Sequence, residues 1–322
     1  MDKVNRTTAG RAIRVLLVLT CLAWGQAKEI FVLRPAGGTF EEARKGIAET
    51  LGPAYALRDF VVSKSTTVDD VVGSWKRGSP KAVVAMDNRA IALFRESRDR
   101  MGDSTVPLVA LMGVRVDAAV RGASNAAAIN YEIPAVTTLV DLRAIARSPV
   151  RRAGMIYRAS MAGVFRRNAE FCKAESIELV GREVPDAAEA GAGLETALRS
   201  LVADPRIDAL VVLNDNFFLN AALLGSVWLP VLSDWKRPVV VGVESLVRPD
   251  LRFGTFAVLP DHYALGSQAA GLIQEIEDAG WKVESPRVDQ PISVIKVLNM
   301  RGFRNCCELR DGKASEIDRV LE

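Results

Sequence analysis

The chain has 322 residues, 49% of them hydrophobic and 25% charged, with a formal net charge of +3. This is ordinary globular composition and excludes a collagen-like, low-complexity or disordered chain. The length favours two domains of about 150 residues each, and no repeat of roughly 20–50 residues points to a solenoid or propeller.

Lys3, Arg6, Arg11 and Arg14 precede the apolar run Val15-Leu16-Leu17-Val18-Leu19-Thr20-Cys21-Leu22-Ala23-Trp24, and Gly25-Gln26-Ala27 supplies small residues for cleavage. Residues 1–27 therefore read as a secretory signal peptide, which predicts an exported, periplasmic mature chain. The run is short for hydrocarbon about 30 Å thick, which counts against an uncleaved anchor. Lipidation at Cys21 is the lesser alternative, because Thr20 precedes it and few apolar residues lie upstream. Cleavage removes four basic residues and one acid and leaves a neutral body, so no basic stripe calls for nucleic acid. No later run approaches about 18 continuous apolar residues, and a soluble monomer is expected.

Cys172, Cys306 and Cys307 survive cleavage, an odd count with no C-x-x-C, which argues against a zinc site or a disulfide framework. One bridge from Cys172 to Cys306 or Cys307, or buried free thiols, both fit. The single histidine, His262, leaves little for a histidine metal site or a Ser-His-Asp set. Next to Asp261 it reads as a surface histidine near a chain crossing rather than as a general base.

Taken in order, Glu29–Leu33 reads as a buried strand, with Thr39 capping a helix to about Leu51. Tyr55–Val62 is a strand, Thr67 or Ser65 caps a helix to Trp75, and Ala82–Met86 is a third strand. Asp87-Asn88 opens a helix to about Arg98, followed by strands at Val106–Leu111 and Ala126–Asn130. The pattern then restarts. Helices are predicted at Pro134–Ala146, Ser160–Ala174, Ala192–Ala203, Phe217–Trp228 and Ala264–Asp278. Strands are predicted at Arg152–Tyr157, Ile177–Val180, Asp208–Leu213, Pro238–Val243, Gly254–Val258 and Ile292–Leu298. Short apolar strands alternating with amphipathic helices indicate an α/β fold of two Rossmann-like lobes, each a parallel sheet covered on both faces.

Four segments carry a family likeness: Pro107–Met112 with Gly122 and Asn125; Ser148–Tyr157; Leu213-Asn214-Asp215-Asn216; and Phe256–Ala270, which contains Tyr263-Ala264-Leu265-Gly266-Ser267-Gln268. In order and spacing the chain resembles the substrate-binding proteins of ABC transporters that take up tryptophan and related amino acids. That resemblance implies a type I periplasmic binding-protein fold with three inter-lobe crossings, near Tyr131–Pro134, Val258–Asp261 and Val288–Ile292. Lobe 1 would be 28–132 plus 260–289, and lobe 2 would be 133–259 plus 290–322. The sequence departs from the family in having no lipobox, in Asn125-Ala126-Ala127-Ala128, and in a charged tail from Met300 to Glu322.

Ligand-binding residues are sought after strand ends, where open α/β sheets bind. Lobe 1 offers Arg34, Gly38, Thr39, Asp87 and Asn88; lobe 2 offers Tyr157, Ser160, Asn214, Asp215 and Glu244. Arg34 suits a carboxylate bidentately, free amides at helix starts suit an anion, and Asp215 or Glu244 suits an ammonium. Asp87, Asn88 and Ser160 equally suit helix caps, and Asn214-Asp215-Asn216 suits a turn as well as a pocket. Trp228, Trp235 and Trp281 are expected to pack the lobes. Neither G-x-G-x-x-G nor G-x-S-x-G marks a nucleotide site or a hydrolase elbow. No catalytic set, metal site or cofactor is expected. The resulting reading is a non-enzymatic receptor that captures a small solute, an amino acid or similar, and delivers it to an ABC permease. A periplasmic sensor for a membrane receptor kinase, or an exported α/β enzyme, are the alternatives.

Overall fold

The computed structural model describes residues 27–186 and 190–322, so residues 1–26 of the expected signal peptide lie outside the described residues. The strands are β1 (Lys28–Pro35), β2 (Tyr55–Val62), β3 (Ala82–Met86), β4 (Leu108–Leu111) and β5 (Ala126–Ile129), then β6 (Arg152–Arg158), β7 (Glu178–Val184), β8 (Ala209–Val212), β9 (Val239–Val241) and β10 (Phe256–Pro260), and finally β11 (Arg287–Asp289), β12 (Val294–Asn299) and β13 (Arg319–Leu321). The longer helices are α1 (Gly38–Leu51), α2 (Val68–Trp75), α3 (Asn88–Met101), α4 (Ala135–Ile145), α5 (Ala162–Ala174), α6 (Ala190–Val202) and α7 (His262–Asp278).

Two sheets result. The first has six strands in the order β11-β5-β4-β3-β1-β2, and the second has seven in the order β13-β12-β10-β9-β8-β6-β7. All neighbours run parallel except β10 and β12. The same doubly wound order is thus laid down twice, β2-β1-β3-β4-β5 and β7-β6-β8-β9-β10. Each has its reversal point beside its first strand, where such sheets gather ligand loops. The chain passes between the sheets at 130–134, at 261 and at 290–293.

Period-two alternation explains why every residue of β3 is buried. Ala82, Val84 and Met86 face one core layer, and Val83 and Ala85 the other. The second sheet has its own pair of layers. On the first sheet α1 and α7 pack so closely that a methyl group on Gly266 would land on the Ala43 carbonyl, and one on Gly46 would land on the Tyr263 carbonyl. Only glycine permits that approach.

Several expectations need correction. Thr39 lies inside α1, whose cap residue is Gly37 at φ 138°. The predicted helix at 217–228 is broken. Asp215 accepts from the Phe217 amide, Asn220 caps the short turn Ala221–Leu223, and a wider π turn covers Leu224–Trp228. His262 is largely buried at the start of α7, with 11% of its side chain exposed, because it packs against the first inter-sheet passage. Cys172 and Cys307 share a core layer with Cys306 against it, and all are free thiols. Burial pushes the Cys172 thiol up to about 11. No helix among the described residues is long and apolar enough to cross a membrane.

Candidate functional site

A cavity of about 230 Å³ lies between the carboxyl ends of the two sheets, beside the passages at 130–134 and 290–293. Its floor is apolar and comes from the second sheet, through Met155, Val211, Val240 and Val258 together with Met161 and Val164. Phe171, half exposed at 50%, stands at its edge on α5. An apolar body with a few convergent polar groups is the usual build of a small-molecule site.

Asn214, in the loop after β8, supplies the most informative group. Its Nδ2 donates to the Gly242 carbonyl at 3.2 Å, and since a carbonyl can only accept, this fixes the orientation of the amide. The opposite atom, Oδ1, is buried without a hydrogen-bond partner among the described residues. A buried acceptor left unmatched costs about 1–3 kcal/mol, so its presence beside a cavity marks a place for a donor. A side chain on Gly242 would collide with the Asn214 amide, so glycine keeps this geometry possible.

The first sheet contributes charge. Glu132 lies in the first passage, and its Oε1 accepts from the Arg115 amide at 2.7 Å. Arg115 holds a left-handed backbone at φ 53°, which aims that amide at the carboxylate. Burial holds the Glu132 carboxyl above the ordinary carboxylate range. Across the cavity Arg167 of α5 reaches Asp117 at 3.4 Å and ties the second sheet's helix layer to the first sheet's loop. Asn168 is spent locally, its Oδ1 accepting from Ala135 at the start of α4. The lining therefore carries Arg115 and Arg167 against Asp117 and Glu132, a balanced set.

Of the residues singled out from sequence, Asn214 lines this cavity. Arg34 is 8% exposed and engaged by Asp59 at 2.9 Å and Glu41 at 2.7 Å. Gly38 and Thr39 are exposed in the first turn of α1. Asp87, strained at φ 80°, caps α3 through the Ala90 amide, and burial raises its carboxyl. Asn88 donates to the Val114 carbonyl. Tyr157 stacks on Phe165 at 4.5 Å. Asp215 takes both forks of Arg158, at 2.6 and 3.0 Å, while Asp186 accepts from Arg158 and from both the amide and hydroxyl of Ser160. Glu244 pairs with Arg319 through two bonds of 2.9 Å. Arg115, Asp117, Asn130, Glu132, Arg167 and Gln290 were not singled out. Asn130 and Glu132 follow a strand end and obey the same rule that gave Asn214, whereas Arg167 sits mid-helix and has no such signal. Among the described residues no group of three or more His, Cys, Asp or Glu is placed to hold a metal.

Solved structures match this architecture over nearly their whole length. A ligand-free, open substrate-binding protein with adhesive properties from Clostridium difficile superposes with a TM-score of 0.67 at 14% identity, covering 92% of this chain and 99% of that one. The chain has the type I periplasmic binding-protein fold. An ABC domain in complex with L-Trp from Streptococcus pneumonia gives 0.58 at 15% identity, covering 92% and 100%. An arabinose-binding protein from Geobacillus stearothermophilus gives 0.54 at 8% identity, covering 85% and 97%. No protein-family model and no curated protein matches the sequence. In this fold the inter-sheet cavity lies where the two doubly wound sheets present their carboxyl ends to one another, and Asn214 sits on one of those ends.

Proposed function

We propose that this chain is the exported solute-binding protein of an ABC-type importer, taking a small zwitterion such as an amino acid into the inter-lobe cavity and handing it to a membrane permease. Lobe 1 is assigned residues 28–132 and 260–289, and lobe 2 residues 133–259 and 290–322. The observation that carries the reading is the orphaned Asn214 Oδ1 in an apolar cavity whose lining is charge-balanced. An ammonium satisfies Oδ1 and lies within the field of Asp117 and Glu132. A carboxylate at the other end suits Arg115 or Arg167. The apolar floor accommodates a side chain. Capture proceeds by lobe closure about the three passages, and the closed form docks on the permease. The protein binds its solute and does not transform it. The match to an L-Trp complex supports an amino-acid ligand by analogy of fold.

The test is calorimetric titration of the purified protein with each common L-amino acid. Micromolar affinity, about 8 kcal/mol, for at least one of them is expected. Silence across the whole set removes the amino-acid reading.

A further inference from the structure

A second cavity, of about 300 Å³, lies at the edge of the second sheet opposite to Asn214, where the segments leading into β9 and β10 meet the turn after β12. Its lining carries Lys236, Arg237, Arg252 and Arg301, and no carboxylate. Arg237 is committed: it donates to the carbonyls of Ile207 and Pro205 and stands over the Trp235 ring at 5.4 Å. Lys236, Arg252 and Arg301 are exposed at the rim and form no ion pair among the described residues. Asp250, close to Arg252 in sequence, is taken by Arg248 at 2.9 Å.

The backbone beneath these cations is pinned. Asn299 is buried, donates to the Gly254 carbonyl at 3.0 Å and accepts from the Gly302 amide at 2.9 Å, so one side chain ties the Arg301 turn to the segment entering β10. Arg252 sits in the left-handed region at φ 51°. Cations that line one cavity with no carboxylate among them repel one another, and a bound anion would relieve that repulsion. Trp235 packs against the second sheet's core, as expected, and its half-buried ring also lines this cavity. Its Nε1 donor is buried without an acceptor among the described residues.

We infer that this cavity binds a small phosphate monoester with a planar apolar body, the phosphate held by Lys236, Arg252 and Arg301 and the body lying against the part of Trp235 left open to the cavity. The surplus of positive charge selects a dianion over a monocarboxylate, and guanidinium forks match phosphate oxygens. The volume and the ring-lined wall exceed what inorganic phosphate alone would need. The site is independent of the inter-lobe cavity, because it lies on the opposite edge of the same sheet.

Calorimetric titration of the purified protein with phenyl phosphate tests this, with inorganic phosphate, phenol and phosphatidylglycerol vesicles as parallel arms. Phenyl phosphate should bind more tightly than either of its halves. Lys236→Glu and Arg301→Glu, both exposed positions whose folding is checked by melting, should each weaken it about tenfold or more, and Asn214→Leu should leave it unchanged. No binding of phenyl phosphate, or binding indifferent to both charge reversals, overturns the inference. Loss of binding in Asn214→Leu moves the ligand to the inter-lobe cavity and overturns it too. Inorganic phosphate binding as tightly as phenyl phosphate contradicts the planar body. Binding of vesicles alone makes this face a membrane contact and contradicts the small-ligand site.

Discussion

The Tyr131 hydroxyl and His262 Nε2 meet at 2.9 Å and so join the first inter-sheet passage to the helix that follows the second. With Tyr131 donating, the ring proton lies on Nδ1, on the side of Glu42, whose carboxylate is 3.7 Å away. Tyr131→Phe deletes this bond, and a loss of about 1 kcal/mol is expected in urea unfolding.

The burial of His262 sets a pH dependence. Burial lowers the His262 pKa below its ordinary value, outweighing Glu42, Asp261 and Glu244, which raise it, with Arg319 acting in the same direction as burial. A base depressed in the fold contributes stability that is present above its unfolded pKa and is lost as pH falls through the folded one. His262→Gln should therefore flatten the decline in unfolding free energy on the acid side of about pH 6.5, while wild type keeps it.

Glu132 behaves in the opposite sense. Its carboxyl is raised by burial, so its contribution is greatest below the unfolded pKa and is lost as pH rises through the folded one. Glu132→Gln keeps an acceptor for the Arg115 amide and carries no charge. The variant should match or exceed wild type in stability at neutral pH, with the difference vanishing below about pH 4. Urea unfolding across a pH series reads this directly.

Gly266→Val places a branched side chain against the Ala43 carbonyl in the α1–α7 contact. Overpacking of this kind costs about 1–3 kcal/mol and more where backbone must move, so the melting temperature should fall by several degrees or the chain should not accumulate.

Asp215 is 7% exposed and holds Arg158 bidentately, and neither residue lines the inter-lobe cavity. Asp215→Ala should cost about 2 kcal/mol of stability, less than a fully buried pair because Arg158 is partly solvated. Ligand affinity, measured by titration, should change by less than about threefold.

A strand covered on two faces must be apolar along its whole length, which made Ala82–Met86 legible in sequence. The edge strand Tyr55–Val62, with Arg58 and Asp59 in it, was legible only through its β-favouring residues. β11 and β13 were not legible. Arg287-Val288-Asp289 and Arg319-Val320-Leu321 are edge pieces of three residues, paired on one side only, and carry no pattern that separates them from loop. The helix at 217–228 looked continuous because its composition is apolar, but Asp215 and Asn220 bind the backbone locally and divide it. At the site, Asn214 was visible as a polar residue after a strand. Which neighbouring polar groups answer one another was not visible. Nothing in the spacing of Arg34 and Asp59, or of Arg158 and Asp215, says that folding spends them on each other.

Ligand capture through Asn214 Oδ1 is tested by thermal shift of wild type and Asn214→Leu against a panel of L-amino acids. A ligand at 100 times its Kd adds about 2.7 kcal/mol. At least one amino acid should raise the wild-type melting temperature by several degrees, and Asn214→Leu, folded in its absence, should show no such shift. A shift of equal size in the variant, or none in wild type, contradicts amino-acid capture at Asn214.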